Sequence, residues 1–134
     1  MKYINLFFLL LFVACKVPAS KQTAESGMKT SLSSYAMIFI DELKMRVPSG
    51  DISCSFIPDS VFMKKYGLKV NEKGECIIDG IITMKEGAVL PDSEINLNHL
   101  YKNKYHCRLP LCKLYKLLSN PEVIYFDLSK PVIL

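Results

Sequence analysis

The stretch Tyr105 to Val132, YHCRLPLCKLYKLLSNPEVIYFDLSKPV, changes its apolar period twice, which limits the folds open to the whole chain. Tyr105, Cys107 and Leu109 alternate with His106 and Arg108, the period of a strand with one buried face. Pro110 suits the first position of a helix, where its missing N–H costs nothing. Leu111, Leu114, Tyr115 and Leu118 then follow at helical spacing, with Lys113 and Lys116 outside the stripe. Ser119-Asn120-Pro121 stops that helix. Val123 to Leu128 returns to strand character, with Ile124, Phe126 and Leu128 on one side. The stretch reads as strand, helix, strand, and the rest of the chain can be arranged around it.

The rest of the domain is read around that unit. Ser33 to Arg46 places Ala36, Phe39, Ile40 and Leu43 at helical spacing behind capping serines, although Tyr35 to Ile40 also suits a buried strand. The length of the run before Pro48 and Gly50 favours helix. Asp51 to Ile57 alternates Ile52, Cys54 and Phe56 against serines, the pattern of a short strand. Pro58-Asp59-Ser60 opens a helical turn over Val61 to Tyr66, which Gly67 ends. Leu68 to Asn71 and Glu75 to Lys85 form a hairpin around Glu72-Lys73-Gly74, and the isoleucine-rich second arm suits a central strand. Pro91 to Asn98 suits a turn, a stub of helix or the start of a strand, and Lys102-Asn103-Lys104 a hairpin turn. The expected fold is α+β: a ferredoxin-like βαββαβ sandwich on a mostly antiparallel sheet, preceded by a signal peptide and a flexible tether.

Met1 to Cys15, MKYINLFFLLLFVAC, carries one charge at Lys2 and an apolar run from Leu6 to Ala14. That run is short for a bilayer span and suits the core of a signal peptide. Phe12-Val13-Ala14-Cys15 resembles the lipobox of bacterial lipoproteins, with Phe12 where leucine is usual. The resemblance implies that residues 1–14 are removed and that Cys15 becomes a diacylated N-terminus. The membrane is then a partner through the lipid on Cys15, and the protein sits in the bacterial cell envelope. Residues 15–31 comprise that cysteine and a polar tether too poor in aromatics to fold alone, and residues 32–134 the domain.

Once Cys15 is acylated, Cys54, Cys76, Cys107 and Cys112 remain, an even number that permits two disulfides in any of three pairings. No pair has CxxC spacing, and no metal site or cofactor is expected. The formal charge of +4 drops by one with Lys2, too little to argue for nucleic acid, so none is expected as a partner. Lys102, Lys104, Arg108, Lys113 and Lys116 fall in a stretch without acids, interleaved with Tyr101, Tyr105 and Tyr115. They suit a solvated face better than a patch for an acidic partner. His106 and Cys107, as neighbours on a strand, point to opposite faces and cannot form a nucleophile–base pair. With only two histidines and no GxSxG or HExxH motif, an enzyme is not expected.

Tyr105 to Leu111, then Leu114 and Leu117-Leu118, then Asn120 to Phe126, then Ser129-Lys130-Pro131-Val132, resembles the end of subtilisin-type N-terminal prodomains. These carry a strand ending in Arg-hydrophobic-Pro, a leucine-rich helix, a Pro-x-Val turn and a last strand leading to the protease. The resemblance implies an inhibitor or folding chaperone whose last residues lie in a protease cleft. Pro131, Val132, Ile133 and Leu134 would then fill the substrate subsites of a subtilisin-like serine protease supplied in trans. The alternative is a non-catalytic binding or structural lipoprotein of an envelope complex.

Overall fold

A computed structural model describes residues 28–131, so the leader, Cys15 and Val132 to Leu134 lie outside the described residues. The elements run β1 (Ser31–Leu32), α1 (Ser34–Arg46), α2 (Ser60–Tyr66), β2 (Lys69–Val70), β3 (Cys76–Met84), β4 (Asn96–Tyr101) and β5 (Lys104–Pro110). A single 3-10 turn (Leu111–Lys113), α3 (Leu114–Leu118) and β6 (Val123–Leu128) complete them. Among the described residues this is a mixed α+β domain with a six-stranded mixed sheet and three α-helices. No helix among the described residues is long and apolar enough to cross a membrane.

The sheet order is β1-β6-β3-β5-β4, with β2 paired to β3 off that path. Strand β3 runs antiparallel to both β5 and β6, so β5 and β6 are parallel to each other on its two sides. They are joined through α3. β4 is antiparallel to β5 and hence parallel to β3, and the connection between β3 and β4 contains no helix. β1 adds a parallel edge to β6, pairing Ser31 with Tyr125 and Leu32 with Phe126.

The two sheet faces differ as the alternation of β3 requires. Cys76, Ile78, Ile82 and Met84 are buried, and Ile77, Asp79, Ile81 and Thr83 are not. The buried row joins Cys107 and Leu109 of β5 and Phe126 and Leu128 of β6 in one core with Phe39, Ile40, Leu43, Phe62 and Tyr66 from α1 and α2. Leu111, Leu114, Leu117 and Leu118 close that core. Each such side chain contributes on the order of 2 kcal/mol by leaving water. Gly80 sits where no side chain fits: a Cβ there would lie 2.6 Å from the Phe126 ring and 2.8 Å from the Asp127 carbonyl.

Local signals account for the helices. Ser33 caps α1, accepting from the Ala36 N–H, and its hydroxyl also reaches Asp127 of β6. Asp59 caps α2, accepting from the Phe62 N–H at 2.8 Å, and Gly67 closes it in the left-handed conformation at φ 65°. The two helices are tied by Arg46, 3.0 Å from Asp59 and stacked over Phe62, and by a Lys65–Glu42 ion pair.

Four expectations change. Asp51 to Ile57 is not a strand: Phe56 N–H bonds to the Ser53 carbonyl and the Ser53 hydroxyl accepts from Ser55, so local bonds hold a turn. Pro110 ends β5 instead of starting a helix, and the helical segment begins as the 3-10 turn. Ile124 is 44% exposed while Val123 is buried, because pairing steps from Thr83–Tyr125 to Met84–Val123 and leaves Ile124 outside the ladder. Packing also begins before Leu32, since the buried Thr30 hydroxyl reaches the carbonyls of Leu118 and Val123 and Met28 packs on the core.

Candidate functional site

Two features are left once the core is accounted for: the uncovered sheet face and the place where the chain leaves β6. On the uncovered face, the row Asp127–Ile81–His106–Asn98 crosses four strands in register. The adjoining row sets Asp79 beside Arg108 and Arg108 beside Asn96. Arg108 donates to Asp79 at 2.8 Å, and His106 Nε2 lies 3.2 Å from the same carboxylate oxygen. Asp79 thereby holds the guanidinium still more firmly in its protonated form. Tyr125 and Ile81 stand partly exposed on this face, giving a surface of mixed polarity.

The exit from β6 is built by three segments. The Ser129 N–H still donates to the Asp79 carbonyl at 3.0 Å, one step beyond the last paired residue, Leu128 opposite Gly80. The next positions on that edge of β3 are taken, because Lys69 and Val70 of β2 pair with Ile77 and Cys76. The chain turns away over the end of α2, where a Cβ on Gly67 would lie 3.1 Å from Pro131 Cβ. Beside it, the Lys130 ammonium stands 5.6 Å over the Tyr35 ring, which in turn lies against Tyr66.

The expected site residues fall as follows. Pro131 is exposed at this exit, while Val132, Ile133, Leu134 and the expected lipidation site Cys15 are outside the described residues. Cys54 and Cys112 are joined in a disulfide with Cα atoms 4.9 Å apart, tying the loop before α2 to the 3-10 turn. Cys76 and Cys107 are buried free thiols, and burial pushes them up to about 11 and about 12. Cys107 faces the core and His106 the open side, so the two do not meet. Glu75 lies close to Cys54 and Cys112, but sulfurs joined in a disulfide offer no thiolate to a metal.

The basic stretch is largely matched by acids from outside it. Lys113 and Lys116 lie 3.6 and 3.7 Å from Asp92, and Arg108 is engaged by Asp79. Backbone donation from Glu94, then these lysines, hold the Asp92 carboxyl below its usual range. His99 is occupied in the hairpin turn, its Nε2 2.6 Å from the Lys102 carbonyl and its ring against Tyr105. Sequence reasoning gave Gly67 only a helix-ending role and did not single out Asp79; the close approach of Pro131 and the pairing with Arg108 are both long-range.

No protein-family model, curated protein or solved structure matches this chain.

Proposed function

We propose that this chain is a lipid-anchored, non-catalytic domain of the bacterial envelope that binds a subtilisin-like serine protease. Residues 131–134 enter the protease cleft as an extended segment and either inhibit the enzyme or assist its folding. The observation that carries the reading is the exit itself: the chain leaves the last sheet strand at Pro131 instead of continuing along β3. An apolar segment, Val132-Ile133-Leu134, follows in sequence and suits recognition as an added strand.

The strand order supports it. Taken without β1 and β2, the sheet reads β6-β3-β5-β4, the fourth, first, third and second of those strands in chain order. That is a ferredoxin-like arrangement in which the first crossover, between β3 and β4, lacks its helix. Such a scaffold holds both ends of β6 and makes the direction of its continuation a property of the fold.

A second reading rests on the open face. The Asp79–Arg108–His106 cluster beside Ile81 and Tyr125 suits a protein partner in an envelope complex independently of the tail. Titration of a subtilisin-like protease with the protein, with and without residues 131–134, separates the two. Tail-dependent inhibition supports the first; partner capture that survives the deletion supports the second.

A further inference from the structure

We propose that Gly67 is a positioning residue for the C-terminal segment: the α2–β2 corner ends the β6 ladder and its glycine provides the seat that sends Pro131 off the sheet. This rests on the protease reading for its consequence, but not for its geometry. Two independent observations carry it.

The first is competition for one strand edge. β6 occupies the β3 edge from Met84 to Gly80, and Ser129 adds a bond to Asp79. β2 occupies the same edge at Ile77 and Cys76, so residues beyond Lys130 find no free backbone on β3. β2 in turn is placed by α2, whose end is fixed by Gly67 N–H bonding to Lys64 and Leu68 N–H bonding to Met63. A segment contributed by the first half of the domain therefore decides where the last strand stops.

The second is the close approach at Gly67. Its φ of 65° suits glycine or asparagine, which closes many helices in this way. The space above it is tight, since an added Cβ would stand 3.1 Å from Pro131 Cβ and 3.4 Å from its Cα, so Pro131 must give way by a few tenths of an ångström. Asparagine thus keeps the helix end and pushes Pro131 from its seat, which separates the two roles. Lys130 over Tyr35 holds the residue before Pro131 on the same corner.

The test compares the full chain, purified under oxidising conditions in detergent, with Gly67→Asn and with Gly67→Asn/Pro131→Gly. The double variant removes the Pro131 Cβ and reopens the space. Nuclear Overhauser contacts between residues 67 and 131, with amide shifts of residues 129, 130 and 132–134, report the exit; inhibition of a subtilisin-like protease reports its consequence. Expected are contacts in the wild type, their loss with shifted tail amides in Gly67→Asn, at least tenfold weaker inhibition by that variant, and return of the Ser129 and Lys130 amide shifts toward the wild type in the double variant. Absence of the contact in the wild type, or tail shifts unchanged in Gly67→Asn, overturns the seat. Loss of the contact with unchanged inhibition overturns its positioning role. A wild type that does not inhibit counts against the protease reading alone, and the resonance data still decide for or against the seat.

Discussion

Cys54 and Cys112 are bridged across 58 residues of sequence, joining an exposed turn ahead of α2 to the turn that follows β5. Closing a loop of that length removes enough freedom from the unfolded chain to contribute about 4 kcal/mol on the loop-entropy estimate. Reduction, or Cys54→Ser/Cys112→Ser, is expected to lower the urea midpoint strongly with little change in the native circular dichroism spectrum. An unchanged midpoint would show that the bridge constrains nothing the fold does not already hold.

Among the described residues, Cys76 and Cys107 are free thiols, and both are shut away from solvent. Cys76 and Cys107 have pKa values pushed from 9.0 to about 11 and about 12 by burial, so they stay protonated in the folded protein where an unfolded chain ionises. Their contribution to stability is full below pH 9 and is lost progressively as pH rises through the folded values. Alkylation of Cys76 and Cys107 by iodoacetamide at pH 8 is expected to require unfolding, with neither thiol modified in native protein over hours. Rapid labelling of either in the native state would contradict this placement.

Gly80 faces Phe126 and the Asp127 carbonyl at distances no Cβ tolerates. Gly80→Ala is expected to cost roughly 1–3 kcal/mol, the usual range for overpacking a filled core. Thermal unfolding measures it. The same substitution at Gly74, where nothing lies within 4 Å of a Cβ, tests only its positive φ of 79° and serves as the comparison.

Asp92 links the loop before β4 to Lys113 and Lys116, and its carboxyl titrates below the usual range. A lowered folded pKa means its contribution is present above the unfolded value and disappears as pH falls through the folded one. Asp92→Asn is therefore expected to lower stability most above pH 6 and to cost progressively less as pH falls, which flattens part of the acid limb of the stability profile. A parallel loss at every pH would assign Asp92 a packing role instead.

What was legible in the sequence follows the range of the forces involved. α2 was readable because its signals are local: Asp59 caps one end and Gly67 the other. The strand–helix–strand unit at Tyr105 to Leu128 was readable from period alone, and the parallel relation of β5 and β6 follows from it. Ile124 was misplaced because a register step against Met84 cannot be seen in β6 itself. Asp51 to Ile57 alternates like a strand, yet Ser53 spends its bonding locally and Cys54 is fixed to a partner far along the chain. The exit at Pro131 depends on β2 occupying the edge of β3, a competition between three separated segments. Period and composition carry no trace of it.

Inhibition of a subtilisin-like protease by the full chain, compared with the chain lacking residues 131–134, tests the central claim most directly. Saturable inhibition that the deletion weakens at least a hundredfold is the expected result. Folded protein that leaves every such protease untouched, or that inhibits equally well without the tail, would contradict it.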